Sequence, residues 1–330
     1  MTPSAVSQTG TQPLSCWVLT DGKPGMANQC IGLAEAMGLT PVIKRVAMRS
    51  PWKQLSPAFL RLGKGSALTP QSDPIAPPWP DVLIATGRHS VLTSLWIGEQ
   101  SPTTFRIQIQ NPVLPPERFD FVVTPRHDRL GGDNVLSVLG AMHRVTDQVI
   151  ADGASKWAPE FAHLPQPYVA VLIGGANGAY RMEPEDATRL GTQLADLARK
   201  HDVGLLITPS RRTGAANEAA LRQALGDVPA YIWDGEGDNP YFGLLGLAEV
   251  IIATPDSVNM VSEAASTGKP VMIAPLPGGS RKFEAFHTEM MKDGITRLFQ
   301  GQLEHWDYPP LKDTQTAAAQ AWDRLRRSRG

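Results

Sequence analysis

The strand–helix–strand pattern in residues 248–274 constrains the fold of this chain more than any other feature. The run AEVIIA is largely apolar, as expected of a buried strand. Asp256 and Ser257 follow it as N-cap residues, and Gly268 with Pro270 ends the helix before the next apolar run, VMIA. A short helix between two buried strands predicts an α/β fold with a parallel sheet.

The polar side chains of this helix indicate a ligand site. They repeat at i, i+3, i+4 and i+7, and they are Asn259, Ser262, Glu263 and Ser266. A helix N-terminus at the carboxyl end of a strand attracts anions. A glutamate one turn further in can accept hydrogen bonds from two ribose hydroxyls. The pattern therefore predicts a site for a nucleoside diphosphate.

A solvated helix surface is the alternative interpretation of the same stripe, and the helix pattern alone favours it. The stripe contains no Lys or Arg, however, whereas solvated helix faces usually do. The loop at Asp256 and Ser257 also lies where open α/β sheets bind ligands. These two details favour the ligand site.

Alternating strands and helices continue along the whole chain and divide it into two units. Residues 14–150 form the first predicted unit and residues 168–310 the second, with an irregular linker at 151–167. Residues 1–13 are expected to be a disordered lead-in, and residues 311–330 a C-terminal helix. The predicted strands cover residues 15–20, 41–46, 81–85, 105–110 and 119–124 in the first unit and 168–173, 203–208, 230–233, 248–253 and 271–274 in the second.

Composition fits a globular protein with room for two domains. Of 330 residues, 42% are hydrophobic and 19% are charged. The net charge of −1 gives no general attraction to nucleic acid, so no nucleic-acid partner is expected. No run approaches the roughly 20 apolar residues of a membrane span, and residues 1–13 do not resemble a signal peptide. The two cysteines have no metal-ligand spacing. We expect a cytoplasmic protein without a metal or other cofactor.

The segment 44–65 departs from this charge balance, because no acidic residue occurs between Glu35 and Asp73. Its basic residues are Lys44, Arg45, Arg49, Lys53, Arg61 and Lys64, and its interleaved apolar residues are Trp52, Leu55, Phe59, Leu60 and Leu62. Basic segments with aromatic and leucine side chains bind anionic membrane surfaces, which would place the protein peripherally on the inner membrane. A basic surface loop whose aromatic side chains pack on the core is an equally weighted alternative.

Loops that follow strands of the second unit supply more candidates for the nucleotide site. Gly174 and Gly175 would let backbone amides approach an anion, although their spacing matches neither GxGxxG nor a Walker A loop. Arginine forks match phosphate oxygens, and a tyrosine offers a flat surface to a base. The full set of predicted donor-binding residues is Gly174, Gly175, Asn177, Arg211, Arg212, Asn239, Pro240, Tyr241, Asp256, Ser257, Asn259, Met260, Ser262 and Glu263. Glycine turns and exposed arginines are also common structural features, but the convergence of four strand ends favours a site.

Asp21 and His89 are the candidates for a general base. Both follow predicted strands of the first unit, and a general base would take a proton from an attacking hydroxyl. A lone histidine is more often structural, so neither candidate is preferred. No Asp-x-Asp metal site occurs, so the helix N-terminus and arginines would stabilise a leaving diphosphate.

Several motifs give the chain a family resemblance over residues 15–299. DGKPGMANQ, GDNPYFGLLGLAE, DSVNMVSEAASTGKPV and RKFEAFHTEMMKDGITRLF resemble bacterial members of the mitochondrial-fission "elongated mitochondria" family. The Ser-x-x-Met-x-Ser-Glu-Ala-x-x-x-Gly-Lys-Pro-Val helix is similar to that of GT-B glycosyltransferases. The resemblance implies two Rossmann-like domains facing a cleft, with the C-terminal helix returning to the N-terminal domain.

The same resemblance implies roles for individual residues. Glu263 would contact the donor ribose, Ser257–Asn259 would contact the diphosphate, and the acceptor would bind the N-terminal unit. The first loop lacks the Gly-Gly-x-Gly-Gly-His run of peptidoglycan-precursor transferases with this fold, so no catalytic base can be carried over.

These arguments predict a metal-independent glycosyltransferase. It would move a sugar from a nucleotide-sugar donor to a cell-envelope glycolipid or saccharide. Two alternatives remain: a binding or recruitment protein that keeps the fold without turnover, and a sugar-nucleotide epimerase or hydrolase that uses the same cleft.

Overall fold

A computed structural model describes residues 13–50 and 68–329 of the chain. The chain divides into two compact units. The N-terminal unit comprises residues up to Thr124, Leu130–Leu136 and the residues from Ala317 onward. The C-terminal unit comprises Pro125–Arg129 and Ser137–Thr316.

The N-terminal unit is built on a six-stranded sheet with the order β2-β1-β3-β4-β5-β6. The pairs β1–β2, β1–β3, β3–β4 and β4–β5 are parallel. The central strands β1 and β3 are buried along their whole length. The elements are β1 (Cys16–Thr20), α1 (Pro24–Ala36), β2 (Pro41–Arg45), β3 (Val82–Thr86), α2 (Val91–Gln100), β4 (Phe105–Ile109), β5 (Phe121–Pro125) and β6 (Val135–Val138).

The C-terminal unit contains a second six-stranded sheet, with the order β12-β11-β10-β7-β8-β9 and every pair parallel. Helices α3, α6, α7 and α8 contribute to the core on one face of this sheet, and α4 and α5 contribute to the core on the other. The elements are α3 (Asp147–Phe161), β7 (Tyr168–Ile173), α4 (Pro184–His201), β8 (Gly204–Pro209), α5 (Ala215–Leu225), β9 (Ala230–Ile232), α6 (Tyr241–Leu247), β10 (Ala248–Ala253), α7 (Val258–Ala265), β11 (Val271–Ile273), α8 (Arg281–Lys292) and β12 (Thr296–Leu298). Helix α9 (Asp313–Arg329) begins in this unit, and its residues from Ala317 onward belong to the N-terminal unit.

The predicted α/β fold is confirmed, and so is the strand–helix–strand pattern at residues 248–274. It forms β10, α7 and β11, and the two strands are parallel neighbours. Ser257 is the N-cap of α7, because its hydroxyl accepts a hydrogen bond from the backbone N–H of Met260 at 3.3 Å. Asp256 does not cap the helix, because its side chain turns into the protein. The residue as a whole is only 2% exposed.

The segment predicted as an irregular linker, residues 151–167, is mostly helical. It lies largely within α3, whose N-cap Thr146 accepts a hydrogen bond from Val149 N at 3.2 Å. The prediction of irregular structure was wrong because Gly153 and Pro159 interrupt the helical pattern in the sequence, although Trp157 and Phe161 of α3 pack in the core of this unit. A Cβ added at Gly153 would lie 2.8 Å from the backbone N of Gly243, so glycine allows α3 and α6 to pack closely.

The predicted C-terminal helix is α9, and its residues from Ala317 onward group with the N-terminal unit. The indole N–H of Trp322 donates to the carbonyl of Met37 at 3.0 Å, and Leu325 is 2% exposed. Apolar burial and an indole hydrogen bond therefore hold this helix against residues of that unit.

Two predicted segments lie wholly or partly outside the described residues. They are the disordered lead-in at 1–13, of which only Pro13 is described, and the part of the basic segment 44–65 beyond Ser50. Within the described part, Lys44 Nζ donates to the carbonyl of Pro74 at 3.0 Å, and the Arg49 guanidinium donates to the carbonyl of Leu68. Across residues 13–50 and 68–329, no helix has the length and apolar character needed to cross a membrane.

Candidate functional site

A pocket of about 480 Å³ lies at the carboxyl edge of the sheet in the C-terminal unit. Because β7, β8 and β9 are parallel, their carboxyl ends meet at this edge. Strands β7 and β8 and the turn after β8 contribute Ile173, Thr208, Pro209, Ser210 and Arg211 to the wall.

The rest of the wall comes from loops and helix ends of the same unit. It consists of Glu218 from α5, Trp233, Asp234 and Gly235 after β9, Asn239 and Tyr241 at the start of α6, and Met260 from α7. The prediction included Arg211, Asn239, Tyr241 and Met260. It omitted Glu218 of α5 and seven residues for which position at a strand end was the available signal, namely Ile173, Thr208, Pro209, Ser210, Trp233, Asp234 and Gly235.

Two aromatic side chains and one arginine give the pocket its chemical character. The indole of Trp233 is fixed by a hydrogen bond from its N–H to the carbonyl of Glu236 at 3.0 Å. Arg211 is exposed, and its side chain has no hydrogen bond or ion pair with any described residue. Aromatic side chains beside a guanidinium suit a ligand with both a planar ring and negative charge, although the wall also contains the acidic residues Asp234 and Glu218.

Asp256 organises the loops beside this pocket. Its carboxylate accepts hydrogen bonds from Gly175 N at 3.0 Å, from Thr254 Oγ1 at 2.6 Å and from the guanidinium of Arg212. The Asp256 side chain is fully buried, whereas the Arg212 side chain is 43% exposed. Three donors on one buried carboxylate fix its position.

The glycine loop after β7 is shaped by this carboxylate. A Cβ added at Gly174 would lie 2.0 Å from Asp256 Oδ2, and one at Gly175 would lie 2.2 Å from the carbonyl O of Arg212. Gly174 N donates to Thr254 Oγ1 at 2.8 Å, and Gly175 N donates to Asp256. Both amide N–H groups are therefore already hydrogen bonded inside the protein, which differs from the expected anion cradle.

Asn177 also serves the loop structure. Its side-chain amide donates to the backbone carbonyl of Asp256 at 2.9 Å, and its Oδ1 accepts from Ala179 N at 2.7 Å and Tyr180 N at 2.8 Å. The first contact ties the loop after β7 to the loop after β10, and the other two fix the conformation of the loop after β7. Asn177 thus supports the wall of the site instead of extending into the pocket.

The predicted polar stripe of α7 is divided between different environments. Ser262 is fully buried, with its hydroxyl donating to Val258 O at 2.7 Å and accepting from Ala141 N at 2.9 Å. Met260 lines the pocket, and Asn259 lies with it in the first turn. Ser262 is therefore a packing residue within the C-terminal unit, because an α-helical stripe can face protein as readily as ligand.

Glu263 is hydrogen bonded to Tyr241. The tyrosine hydroxyl donates to Glu263 Oε2 at 2.5 Å. Burial raises the pKa of Glu263 to about 7, although the hydrogen bond from Tyr241 acts in the opposite direction. Burial and the nearby carboxylate raise the pKa of the Tyr241 phenol well above its usual value. Tyr241 lines the pocket and Glu263 does not.

The residues just before α6 position Tyr241. Asn239 Oδ1 accepts a hydrogen bond from the backbone N–H of Tyr241 at 3.0 Å, and Pro240 occupies the N-cap position. Asn239 and Pro240 therefore determine where the helix begins and hence where the tyrosine side chain projects.

In the N-terminal unit, the structure brings the two candidate bases together. His89 Nδ1 lies 3.5 Å from Asp21 Oδ2, and Lys23 Nζ lies 2.8 Å from the same oxygen. Burial acts to raise the pKa of Asp21, but the hydrogen bonds and charge of Lys23 and the charge of His89 outweigh it and lower this pKa. An ionised aspartate next to Nδ1 would orient the imidazole and leave Nε2 available for proton transfer.

A metal site is not formed by the residues at 13–50 and 68–329. No group of three or more His, Cys, Asp and Glu side chains within those ranges is placed to hold an ion.

Comparison with solved structures identifies the class of fold. The chain superposes on MurG from Acinetobacter baumannii with a TM-score of 0.51 at 13% identity, covering 94% of this chain and 100% of that one. It superposes on UDP-GlcNAc 2-epimerase from Neisseria meningitidis bound to UDP-GlcNAc with a TM-score of 0.51 at 12% identity, covering 96% and 92% of the two chains. The protein therefore has the α/β fold of GT-B type that these structures share, and at such identities the likeness shows the fold alone.

Sequence comparison then identifies the family. The family model described as Mitochondrial fission ELM1 matches residues 24–325. Mitochondrial fission protein ELM1 of Arabidopsis thaliana is 34% identical over an alignment of 267 residues, and the match covers 72% of this chain and 62% of that relative's length. An uncharacterized protein of Rickettsia prowazekii strain Madrid E is 25% identical over 350 residues, covering 92% of this chain and 97% of that protein. The chain belongs to the Mitochondrial fission ELM1 family.

Proposed function

We propose that this protein binds a nucleotide sugar in the pocket of its C-terminal unit and transfers the sugar to a hydroxyl acceptor. The observation that carries the proposal is the combination of Trp233, Tyr241 and Arg211 around one pocket at the carboxyl edge of a parallel sheet. A volume of about 480 Å³ is within the range of small-molecule sites.

Each part of a nucleoside diphosphate has a complementary group here. A base or ribose would pack against the aromatic faces, and the diphosphate would pair with Arg211. The first turn of α7, capped by Ser257, would add the positive end of a helix dipole. The Neisseria structure contains UDP-GlcNAc, which makes uridine nucleotides the first ligands to test.

We assign the proton transfer to the pair of Asp21 and His89. The acceptor oxygen would attack the anomeric carbon as the bond from that carbon to the diphosphate oxygen breaks. The acceptor proton would pass to His89 Nε2, and the bonding electrons would leave with the nucleoside diphosphate. Asp21 would hold the imidazole and stabilise its charged form.

An envelope glycolipid or saccharide is the acceptor that we propose. The basic segment 44–65 would hold the protein at an anionic membrane surface, where a glycolipid acceptor is found.

Titration calorimetry with UDP and UDP-GlcNAc tests the binding step. We expect wild-type protein to bind UDP and Arg211→Ala to bind it about 10-fold more weakly or worse, because a charge-assisted hydrogen bond contributes about 1.5–3 kcal/mol and about 1.4 kcal/mol is tenfold. Arg327→Ala is the matched control, since Arg327 is exposed on α9 and does not line the pocket. Wild-type protein that binds no uridine or other nucleotide would refute the proposal.

A recruitment protein without turnover is the second candidate, and membership of a family named for mitochondrial fission favours it. Incubation with nucleotide sugars and an envelope lipid extract separates the two. Release of nucleoside diphosphate that falls in Asp21→Asn and His89→Ala supports the transferase. Nucleotide binding without any release supports recruitment.

A further inference from the structure

Tyr241 and Glu263 are in contact, but only one of them, Tyr241, lines the pocket. Tyr241 forms part of the pocket wall. Its hydroxyl donates to Glu263 Oε2 at 2.5 Å, so that oxygen is already engaged. A ribose hydroxyl that used the same oxygen would have to displace the tyrosine hydroxyl, whereas Tyr241 lines the pocket without any rearrangement.

The backbone that carries Tyr241 is held at both ends of α6. At the start, Asn239 Oδ1 accepts from Tyr241 N at 3.0 Å. At the end, Lys269 Nζ donates to the carbonyls of Leu245 at 2.7 Å and Gly246 at 2.6 Å, which are among the last carbonyls of the helix. With the backbone fixed, the remaining freedom of Tyr241 is in its side-chain torsions.

The hydrogen bond to Glu263 limits those torsions from the far end of the ring. The Tyr241 ring also packs edge-on against Phe242, with ring centroids 5.6 Å apart. A ring held at its backbone, at its edge and at its hydroxyl is preorganised as a binding surface.

We propose, on the basis of the nucleotide site proposed above, that Tyr241 contacts the nucleoside and that Glu263 is a positioning residue that holds the tyrosine hydroxyl. This assignment differs from the direct ribose contact that the family resemblance implies for Glu263. It names a binding residue and explains why a carboxylate lies behind it.

The variants Tyr241→Phe, Glu263→Ala and Glu263→Gln distinguish the two assignments by calorimetry with uridine and UDP. We expect Tyr241→Phe and Glu263→Ala each to weaken binding of both ligands about 5- to 10-fold. Combining them should add little, because both remove the same hydrogen bond. Glu263→Gln should bind as wild type does, since the amide oxygen still accepts from the tyrosine hydroxyl.

Direct contact between Glu263 and the ribose predicts the opposite affinities for these variants. Tyr241→Phe would then bind uridine equally well or more tightly because it frees the carboxylate, and Glu263→Gln would bind more weakly. Either result in a variant that is folded at the temperature of the titration overturns the inference.

Controls separate this inference from the proposed function. Tyr231→Phe removes a hydroxyl that makes no hydrogen bond with the described residues and does not line the pocket, so its binding should be unchanged. Arg211→Ala should weaken UDP but not uridine, whereas loss of the Tyr241 contact should weaken both. If wild-type protein binds neither ligand, the proposed function and this inference both fail. If it binds and Tyr241→Phe binds equally well, the inference alone fails.

Discussion

Replacing Glu263 with glutamine removes a titrating carboxyl but keeps an oxygen that can accept the hydrogen bond from Tyr241. Burial raises the pKa of this carboxyl from 4.5 to about 7 in the folded protein. Above pH 4.5 the unfolded chain therefore loses the proton of Glu263 while the folded protein still holds it. Ionisation then favours unfolding until the folded carboxyl also titrates.

The size of this effect follows from the pKa change. At about 1.4 kcal/mol per pKa unit, a rise from 4.5 to about 7 corresponds to about 3 kcal/mol of unfolding free energy. The contribution is fully present below pH 4.5, declines between pH 4.5 and 7, and is absent above pH 7. The Glu263→Gln protein has no such group, so its stability relative to wild type should increase by up to about 3 kcal/mol between pH 4.5 and pH 8.

Urea unfolding of both proteins at pH 4.5 and pH 8 measures this difference, and other titrating groups cancel because both proteins contain them. Carbon-13 NMR of the Glu263 carboxyl measures its pKa directly, and we expect the midpoint of its titration near pH 7. In Tyr241→Phe the midpoint should move higher, because the hydrogen bond that favours the ionised form is lost. A stability difference that is the same at both pH values, with a carboxyl that titrates near its usual pH, would show that the reasoning about burial is wrong.

Two further substitutions test the packing around the site. Ser257→Ala removes the N-cap of α7 and should lower the unfolding free energy by about 0.5–2 kcal/mol, as measured by urea unfolding. An unchanged free energy would show that the cap contact to Met260 N is absent. Gly243→Ala should cost about 1–3 kcal/mol, because the new Cβ would lie 2.7 Å from Trp157 Cδ1. The control Gly178→Ala places its Cβ in open space and should be close to neutral, so equal effects of the two alanines would contradict the close helix packing.

Local sequence patterns predicted some of the regular elements that position the site, but helix α6, which carries Tyr241, was not among them. Strand β10, helix α7 and strand β11 carry a buried apolar run, a capping serine and a helix-ending glycine, each of which acts over a few residues. Helix α3 was missed because Gly153 and Pro159 interrupt its helical pattern, and part of its support is the close approach of α6 at Gly153. Gly153 and Gly243 are 90 positions apart in the chain, and no local pattern relates them.

The partners of polar side chains could not be predicted in the same way. Ser262 and Glu263 are adjacent in the predicted stripe, yet one accepts from Ala141 N and the other from Tyr241. Helical spacing specifies which side chains share a face, but it does not specify whether ligand, solvent or protein covers that face. The partner depends on chain segments that are distant in sequence.

The two predicted arginines illustrate how such a partner changes the electrostatics of the site. Arg212 pairs with the buried carboxylate of Asp256, so its charge is largely neutralised within the protein. Arg211 has no such partner among the described residues and lines the pocket. Of the two adjacent guanidinium groups, Arg211 is the one without a carboxylate partner among the described residues, and Arg212 instead fixes the loop against which a diphosphate would bind. Arg211→Ala should therefore weaken UDP binding without loss of stability, whereas Arg212→Ala should lower stability by leaving a buried carboxylate with one fewer donor.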